Sequence, residues 1–391
     1  MRTMRAETPG GAQTMSTFPI YGNAASQTAS MVVPRVALWG MLAAKIITGW
    51  GVQWDVEWHV RVGRDTFWIA PHLITYAGVT ISTLLSWGML AWYTLGLGRS
   101  DNLVRVLGAK GTRGFHFAAL GVALTVLAAP IDDLWHRLFG LDVTLWSPPH
   151  LLGILGGLVV SAACFTIARE VHPAQPAARL LAQVLAGSAL YRGLALVAQP
   201  AFLLSYAHGD LWFHSPAILS ALLLPLALVL VAILSGRRWS PALVVLTVIA
   251  TTIVGQWISN TGFDWLKPVS VIDSAIAQEP DSPIAIASRI ARENGEAPGR
   301  GSLVLIVVSL LAAGAMSVTD ARRRPVASAV TYGVVVFVLT GWLLSHTPAF
   351  GPRAPGLGPT LVGLAIAILA AAASGRAGSA LARVLGPGQE L

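Results

Sequence analysis

The sequence predicts an all-α fold: a polytopic transmembrane bundle of about ten helical spans, with a two-helix unit repeated inside it. Three observations predict it. Of the 391 residues, 54% are hydrophobic and 11% are charged, whereas about 25% of the residues in a soluble domain are charged. Apolar runs of roughly 17 to 25 residues, the length that crosses a bilayer as a helix, recur along the chain. Basic residues gather in alternate connections between those runs, as they do on the cytoplasmic side of multi-pass proteins.

Residues 1–34 are polar and rich in Gly, Ser and Thr, with no apolar stretch leading to a cleavage site; they read as a disordered cytoplasmic tail. The runs 36–54, 72–96, 115–131, 150–168, 179–204 and 215–235 make a six-helix repeat region over 35–235. The runs 241–259, 302–318, 327–345 and 359–374 make a four-helix C-terminal region over 236–391, with an outer loop at 260–300. In that loop SNTGFDWLKP reads as a helix exit and turn. PIAIASRIAREN has the spacing of an amphipathic surface helix, suited to a lid or a partner contact.

Arg99, Arg105, Lys110, Arg113, Arg169, Arg179, Arg237, Arg238 and Arg322 to Arg324 fall on one side, together with Arg2, Arg5, Arg35, Arg376 and Arg383 of the tails. That side is expected in the cytoplasm of a bacterial-type inner membrane, with both termini on it. The net charge of +8 then describes topology and not nucleic-acid binding. Cys164, the only cysteine, lies inside a span; it excludes an intramolecular disulfide and suits packing. Small residues such as those in LLGILGGLVV fit close helix contacts. No phosphate-binding glycine loop, G-x-S-x-G, C-x-x-C or HExxH occurs, so ATP-driven, serine-hydrolase and zincin chemistries have no support.

The chemistry-bearing residues cluster in DVEWHVRVGRDTFWIAPHL, residues 55–73, and in DDLWHRLFGLDVTLWSPPHL, residues 132–151. Asp55, Trp58, His59, Gly63 and Asp65 match Asp132, Trp135, His136, Gly140 and Asp142 at an offset of 77. Pro71, His72 and Leu73 match Pro149, His150 and Leu151 at an offset of 78. A fainter third copy is HGDLWFHSP, residues 208–216, with Asp210 four residues before His214.

In each copy the Asp and the first His are four apart, on one face of an outgoing helix. Proline suits the first turn of the returning helix, because its missing N–H would be unpaired there anyway. The neighbouring histidine therefore meets the Asp-His pair at the outer end. One carboxylate and two imidazoles make a plausible metal site: Asp55, His59 and His72 in one repeat, Asp132, His136 and His150 in the other. Imidazole suits Cu, Zn, Fe and Ni. The plainer reading is a polar headgroup zone with an aromatic belt at Trp58, Trp68, Trp135 and Trp146. A carboxylate inside the membrane costs ~2.5–3.5 kcal/mol, and repeating the whole set favours metal binding over anchoring.

Weaker candidates surround these sets. Glu57 and Asp65 could orient the imidazoles or pair with Arg61 and Arg64; Asp142 is the counterpart of Asp65, and Asp133 competes with Asp132. His208, Asp210 and His214 could support the ligands or form a third site, with interfacial polarity as the plainer reading. His116, His172 and His346 read as incidental, and Lys45 and Arg192 as snorkelling or paired cations within spans.

The pattern Asp-x3-His-x12-His, with Arg64-Asp65-Thr66 between the histidines, resembles the copper site of the C-type subunit of particulate methane and ammonia monooxygenases. That family has a neighbouring site of pattern Asn-x3-His-x13-His; Asp132, His136 and His150 reproduce its spacing with Asp in place of Asn. The resemblance covers about residues 50–152. It implies copper held in the membrane near its outer face, O2-dependent oxidation of a small apolar substrate, and partner membrane subunits. The chain departs from the family in its greater length and in the extra helices after residue 235. Iron and zinc stay open as alternatives to copper. Metal transport, metal handling and a non-catalytic structural role stay open as alternatives to oxidation.

Overall fold

The computed structural model describes residues 31–63, 66–139, 145–296 and 303–386. The expected tail lies outside them up to residue 30, as do Arg64, Asp65, Gly140 and Asp142.

The fold is an all-α polytopic bundle. Helices α1 (Val32–Arg61) and α2 (Ala70–Thr94) form a first antiparallel hairpin, and α3 (Arg113–Phe139) and α4 (Pro148–Val171) form a second. Between them β1 (Val104–Val106) and β2 (Ala109–Gly111) pair antiparallel. Leu107 and Gly108 at their turn both have positive φ, the geometry that matches a two-residue turn to the twist of its strands. Then follow α5 (Pro176–Ala198), α6 (Ala201–His208), a 3-10 turn at Asp210–His214, α7 (Ser215–Ser235) and α8 (Ser240–Leu266). The short α9 (Ile272–Gln278) and α10 (Pro283–Glu293) precede α11 (Leu303–Val318), α12 (Pro325–Ser345) and α13 (Leu357–Leu385).

Among the described residues nine segments are long and apolar enough to cross a membrane. The expected span 302–318 falls on α11, an apolar helix whose first described residue is Leu303. The run 179–204 is interrupted: Pro200 has no N–H to continue the ladder, so α5 stops at Ala198 and α6 starts at Ala201. SNTGFDWLKP holds the expected helix exit, but only at its end, before Pro268. Helix α8 runs through it to Leu266 and ends at Lys267, which has a φ of +44°. The helix persists because Phe263 stacks on Trp58 at 5.8 Å and Ser259 binds Glu57.

The core is apolar and tightly filled, with Leu38, Met41, Phe115, Phe165, Leu228 and Tyr332 fully buried. Cys164 is buried there too, as packing predicts. Tyr191 and Tyr332 share a 2.7 Å hydroxyl hydrogen bond across it, which satisfies two polar atoms that burial would otherwise penalise. Lys45 and Arg192 do not snorkel. Lys45 donates to the Gly157 carbonyl at 3.1 Å, and Arg192 to Gly49 O, Gln53 Oε1 and Thr251 Oγ1 at 3.0 to 3.2 Å.

The turn between α11 and α12 is held by charge. Arg322 donates from Nε and Nη2 to both Asp320 oxygens at 2.7 Å, and from Nη1 to the Gly236 carbonyl at 2.7 Å. The hydrogen-bonded guanidinium pulls Asp320 down to about 2. A depressed carboxylate contributes stability that is fully present above the ordinary aspartate value near 4 and is lost as pH falls through about 2. Asp320→Asn is therefore expected to lower the melting temperature slightly at pH 7 and to flatten its fall between about pH 5 and 2. Melting curves in detergent across that range test this; an unchanged acid limb would refute it.

Candidate metal centre

The two hairpins return to the bundle with the same local geometry. Ile69, before α2, has φ −68° and ψ 153°; Ser147, before α4, has φ −64° and ψ 149°. Each is extended as a helix N-cap is, with proline in the first two helical positions that follow. His72 and His150 thus take equivalent places on the first turn of a returning helix. The outgoing helices reach far enough to meet them: α1 continues through His59 to Arg61, and α3 through His136 to Phe139.

In the second repeat His136 Nε2 lies 3.4 Å from Asp132 Oδ2, and His150 Nε2 lies 3.5 Å from Asp132 Oδ1. One donor atom from each of the three residues falls within 4.8 Å of the others. In the first repeat His72 Nε2 is 3.1 Å and His59 Nδ1 3.5 Å from Asp55 Oδ1, while His59 Nδ1 is also 2.9 Å from the Asp55 carbonyl. A metal bonded at about 2.0–2.2 Å to imidazole and carboxylate needs its donors roughly 3 to 4 Å apart, so the second set has suitable dimensions, while in the first both imidazoles reach the same Asp55 oxygen. All six side chains are 20 to 32% exposed, buried enough to be held and open enough to be reached.

Close backbone packing inward of the triads fixes these ends. A Cβ on Gly78 of α2 would lie 2.7 Å from Ala44 O and 2.8 Å from Thr48 N of α1. One on Gly156 of α4 would lie 2.5 Å from Gly121 O and 2.7 Å from Thr125 N of α3. Thr48 and Thr125 each donate to the carbonyl four residues back, at 2.9 and 3.1 Å. Gly78 and Gly156 are 78 apart, and Thr48 and Thr125 are 77 apart, so the repeat continues into the membrane. The sequence reading missed these positions, although the same two offsets point to them.

The weaker candidates separate cleanly. Asp133 forms an exposed ion pair with Arg137 at 2.7 Å, which leaves Asp132 as the carboxylate of the second triad. Glu57 is buried and turned toward α8, where it accepts from Ser259 at 3.0 Å and Gln256 at 3.2 Å, with Arg61 at 4.0 Å. The pairing reading of Glu57 therefore fits better than the orienting one. His214 is buried, 3.3 Å from Thr360 Oγ1 and stacked on Phe337, whereas His208 and Asp210 are exposed near Trp212. The third echo does not converge on a triad, because His214 directly precedes α7 and turns inward. His116, His172 and His346 make local bonds to Val104 O, Gln175 Oε1 and Trp342 O, away from either triad.

The outer loop is fastened beside the first triad. Val271 N donates to Val62 O and Ser270 Oγ to Arg61 O, both at 2.8 Å. The expected amphipathic helix is α10, which buries Ile284, Ala285, Ser288 and Ala291 and packs Ile286 and Ile290 near Tyr206 and Phe350. Trp58, Phe263 and the Arg61 guanidinium, 3.8 Å above the Phe263 ring, form a wall behind the first site.

These features define a multi-pass helical membrane protein that carries a His/Asp triad suited to a metal ion, on a duplicated helical hairpin. A scan of the known protein families finds no match to this chain, and no curated protein or solved structure matches it either.

Proposed function

We propose that the chain is an integral membrane copper protein, a monooxygenase-like oxidoreductase subunit that acts with O2 on a small apolar substrate. The observation that carries this reading is the convergence of Asp132, His136 and His150 within 4.8 Å, echoed by Asp55, His59 and His72. The donor set fits the ion. Two imidazoles and one carboxylate suit copper or another borderline metal and leave coordination positions open. When bound, copper supplies one-electron redox chemistry and a place for O2.

The residues of the chain do the rest. Asp55 and Asp132 provide the negative charge that offsets a cation in an apolar setting, and each holds two imidazole rings in place. Phe67, Trp68, Leu134, Leu138 and Phe139 are exposed around the hairpin ends, a surface through which a lipid-dissolved substrate reaches the sites. The same exposed apolar faces suit neighbouring membrane subunits. A transport role calls for ligands that continue inward. The polar side chains below the first site, Gln53, Arg192 and Lys45, are instead bonded to Thr252, Gly49 and Gly157 carbonyls. The excess of basic residues in the opposite connections supports a topology with the triads at the outer face of an inner membrane and the termini inside.

Metal analysis of the detergent-purified chain, with EPR on the same sample, tests the proposal. Copper with a nitrogen-coupled Cu(II) signal is the expected result. Zinc or iron in its place would keep the sites and overturn the copper chemistry, and a well-folded chain without metal would overturn both.

A further inference from the structure

At the end of the bundle opposite the triads, four arginines converge on two adjoining clefts. Arg169 at the end of α4 and Arg179 at the start of α5 line one of about 260 Å³, floored by Ile233 and Leu234 of α7. Arg376 and Arg383 of α13 line the other, of about 720 Å³, against Val326 and the same Ile233. Among the described residues no carboxylate lies within 4.0 Å of any of the four. Arg322, by contrast, is neutralised by Asp320 at 2.7 Å. Arg169 gives one donor to Leu385 O at 3.5 Å and Arg179 one to Pro173 O at 3.1 Å, which leaves most of five donors on each guanidinium for a ligand.

A topological excess of basic residues accounts for their side of the membrane but not for their convergence on clefts with apolar floors. Guanidinium groups bind phosphate oxygens in pairs of parallel hydrogen bonds, and an apolar wall beside them accepts acyl chain. Basic pockets between membrane helices are places where acidic headgroups settle. We infer that these clefts are a binding site for acidic phospholipid, whose phosphate lies among Arg169, Arg179, Arg376 and Arg383 and whose chains lie along α7 and α13.

Native mass spectrometry of the delipidated full chain, offered equal phosphatidylglycerol and phosphatidylcholine, tests the site. Wild type should retain the acidic lipid with roughly tenfold preference, and Arg169→Gln/Arg179→Gln or Arg376→Gln/Arg383→Gln should each lose most of it. Melting temperature and metal content of the same variants should stay near wild type, so this test is independent of the triads. Should a double variant fail to fold, Arg376→Gln alone, at an exposed position, serves in its place. Equal retention of the two lipids, or preference unchanged in the variants, would overturn the site. Displacement of the lipid by millimolar inorganic phosphate, with the same arginine dependence, would assign it to free phosphate and overturn the lipid.

Discussion

Replacing His150 with alanine is expected to empty the second triad and leave the first filled. His150 offers one of three donors around Asp132, and no other described histidine lies near enough to substitute. Changing a group that merely supports a metal ligand costs about 10–100-fold in affinity, so losing the ligand itself should cost at least about 100-fold. His72→Ala should do the same to the first triad, and the double variant should hold no metal. The two sets stand on separate hairpins, so their losses should add. Asp132→Asn keeps the shape and removes the charge, and should weaken the second site by a similar factor. Asp133→Asn is the control, because Asp133 is turned outward to Arg137 and should leave metal content unchanged. Metal-to-protein ratios after competition with a chelator read all five variants. If His150→Ala lost both ions together, the triads would be one shared centre; if it lost neither, His150 would not be a ligand.

The triads are legible in the sequence because their residues are rare and their constraints local. Trp and His seldom match by chance, an Asp-x3-His pair fixes a helical face, and Pro71 and Pro149 mark where a helix starts. The spans are legible for a similar reason, since apolar length is a property of each run alone. What depends on a partner helix is not legible. Glu57 could face either the imidazoles or α8, and only the position of Ser259 and Gln256 decides it. The contact of Phe263 with Trp58, across about 200 residues of chain, is equally hidden, although Pro268 marks locally where α8 ends. The Thr48–Gly78 and Thr125–Gly156 crossings are written in residue types so common in membrane helices that their repetition carries little statistical weight alone. Distance along the chain, not weakness of the interaction, hides them.

Those crossings lead to the second large effect, a loss of metal caused without touching a ligand. A methyl group at Gly156 would sit 2.5 Å from Gly121 O and 2.7 Å from Thr125 N, backbone atoms that cannot rotate away. Helices α3 and α4 would have to separate. Overpacking of this kind costs ~1–3 kcal/mol, and contact with backbone places Gly156→Ala toward the upper end. Asp132 and His136 follow Thr125 by two to three turns on α3, while His150 precedes Gly156 by nearly two turns on α4. A shift at the crossing therefore carries to the outer end and pulls the imidazole of one helix from the carboxylate of the other. Gly156→Ala should lower the melting temperature and strip the second site while the first keeps its ion, and Gly78→Ala should do the converse. Gly153→Ala tests whether any added methyl has this effect. Its Cβ would lie 3.5 Å from Ala128 Cβ, an ordinary contact, and the lost backbone freedom of the unfolded chain should leave it neutral or ~0.4–1 kcal/mol more stable. Wild-type melting and metal content in Gly156→Ala would show that the crossing does not position the triad. Equal damage from Gly153→Ala would show that the hairpin tolerates no added volume anywhere, and the specific role of Gly156 would fall with it.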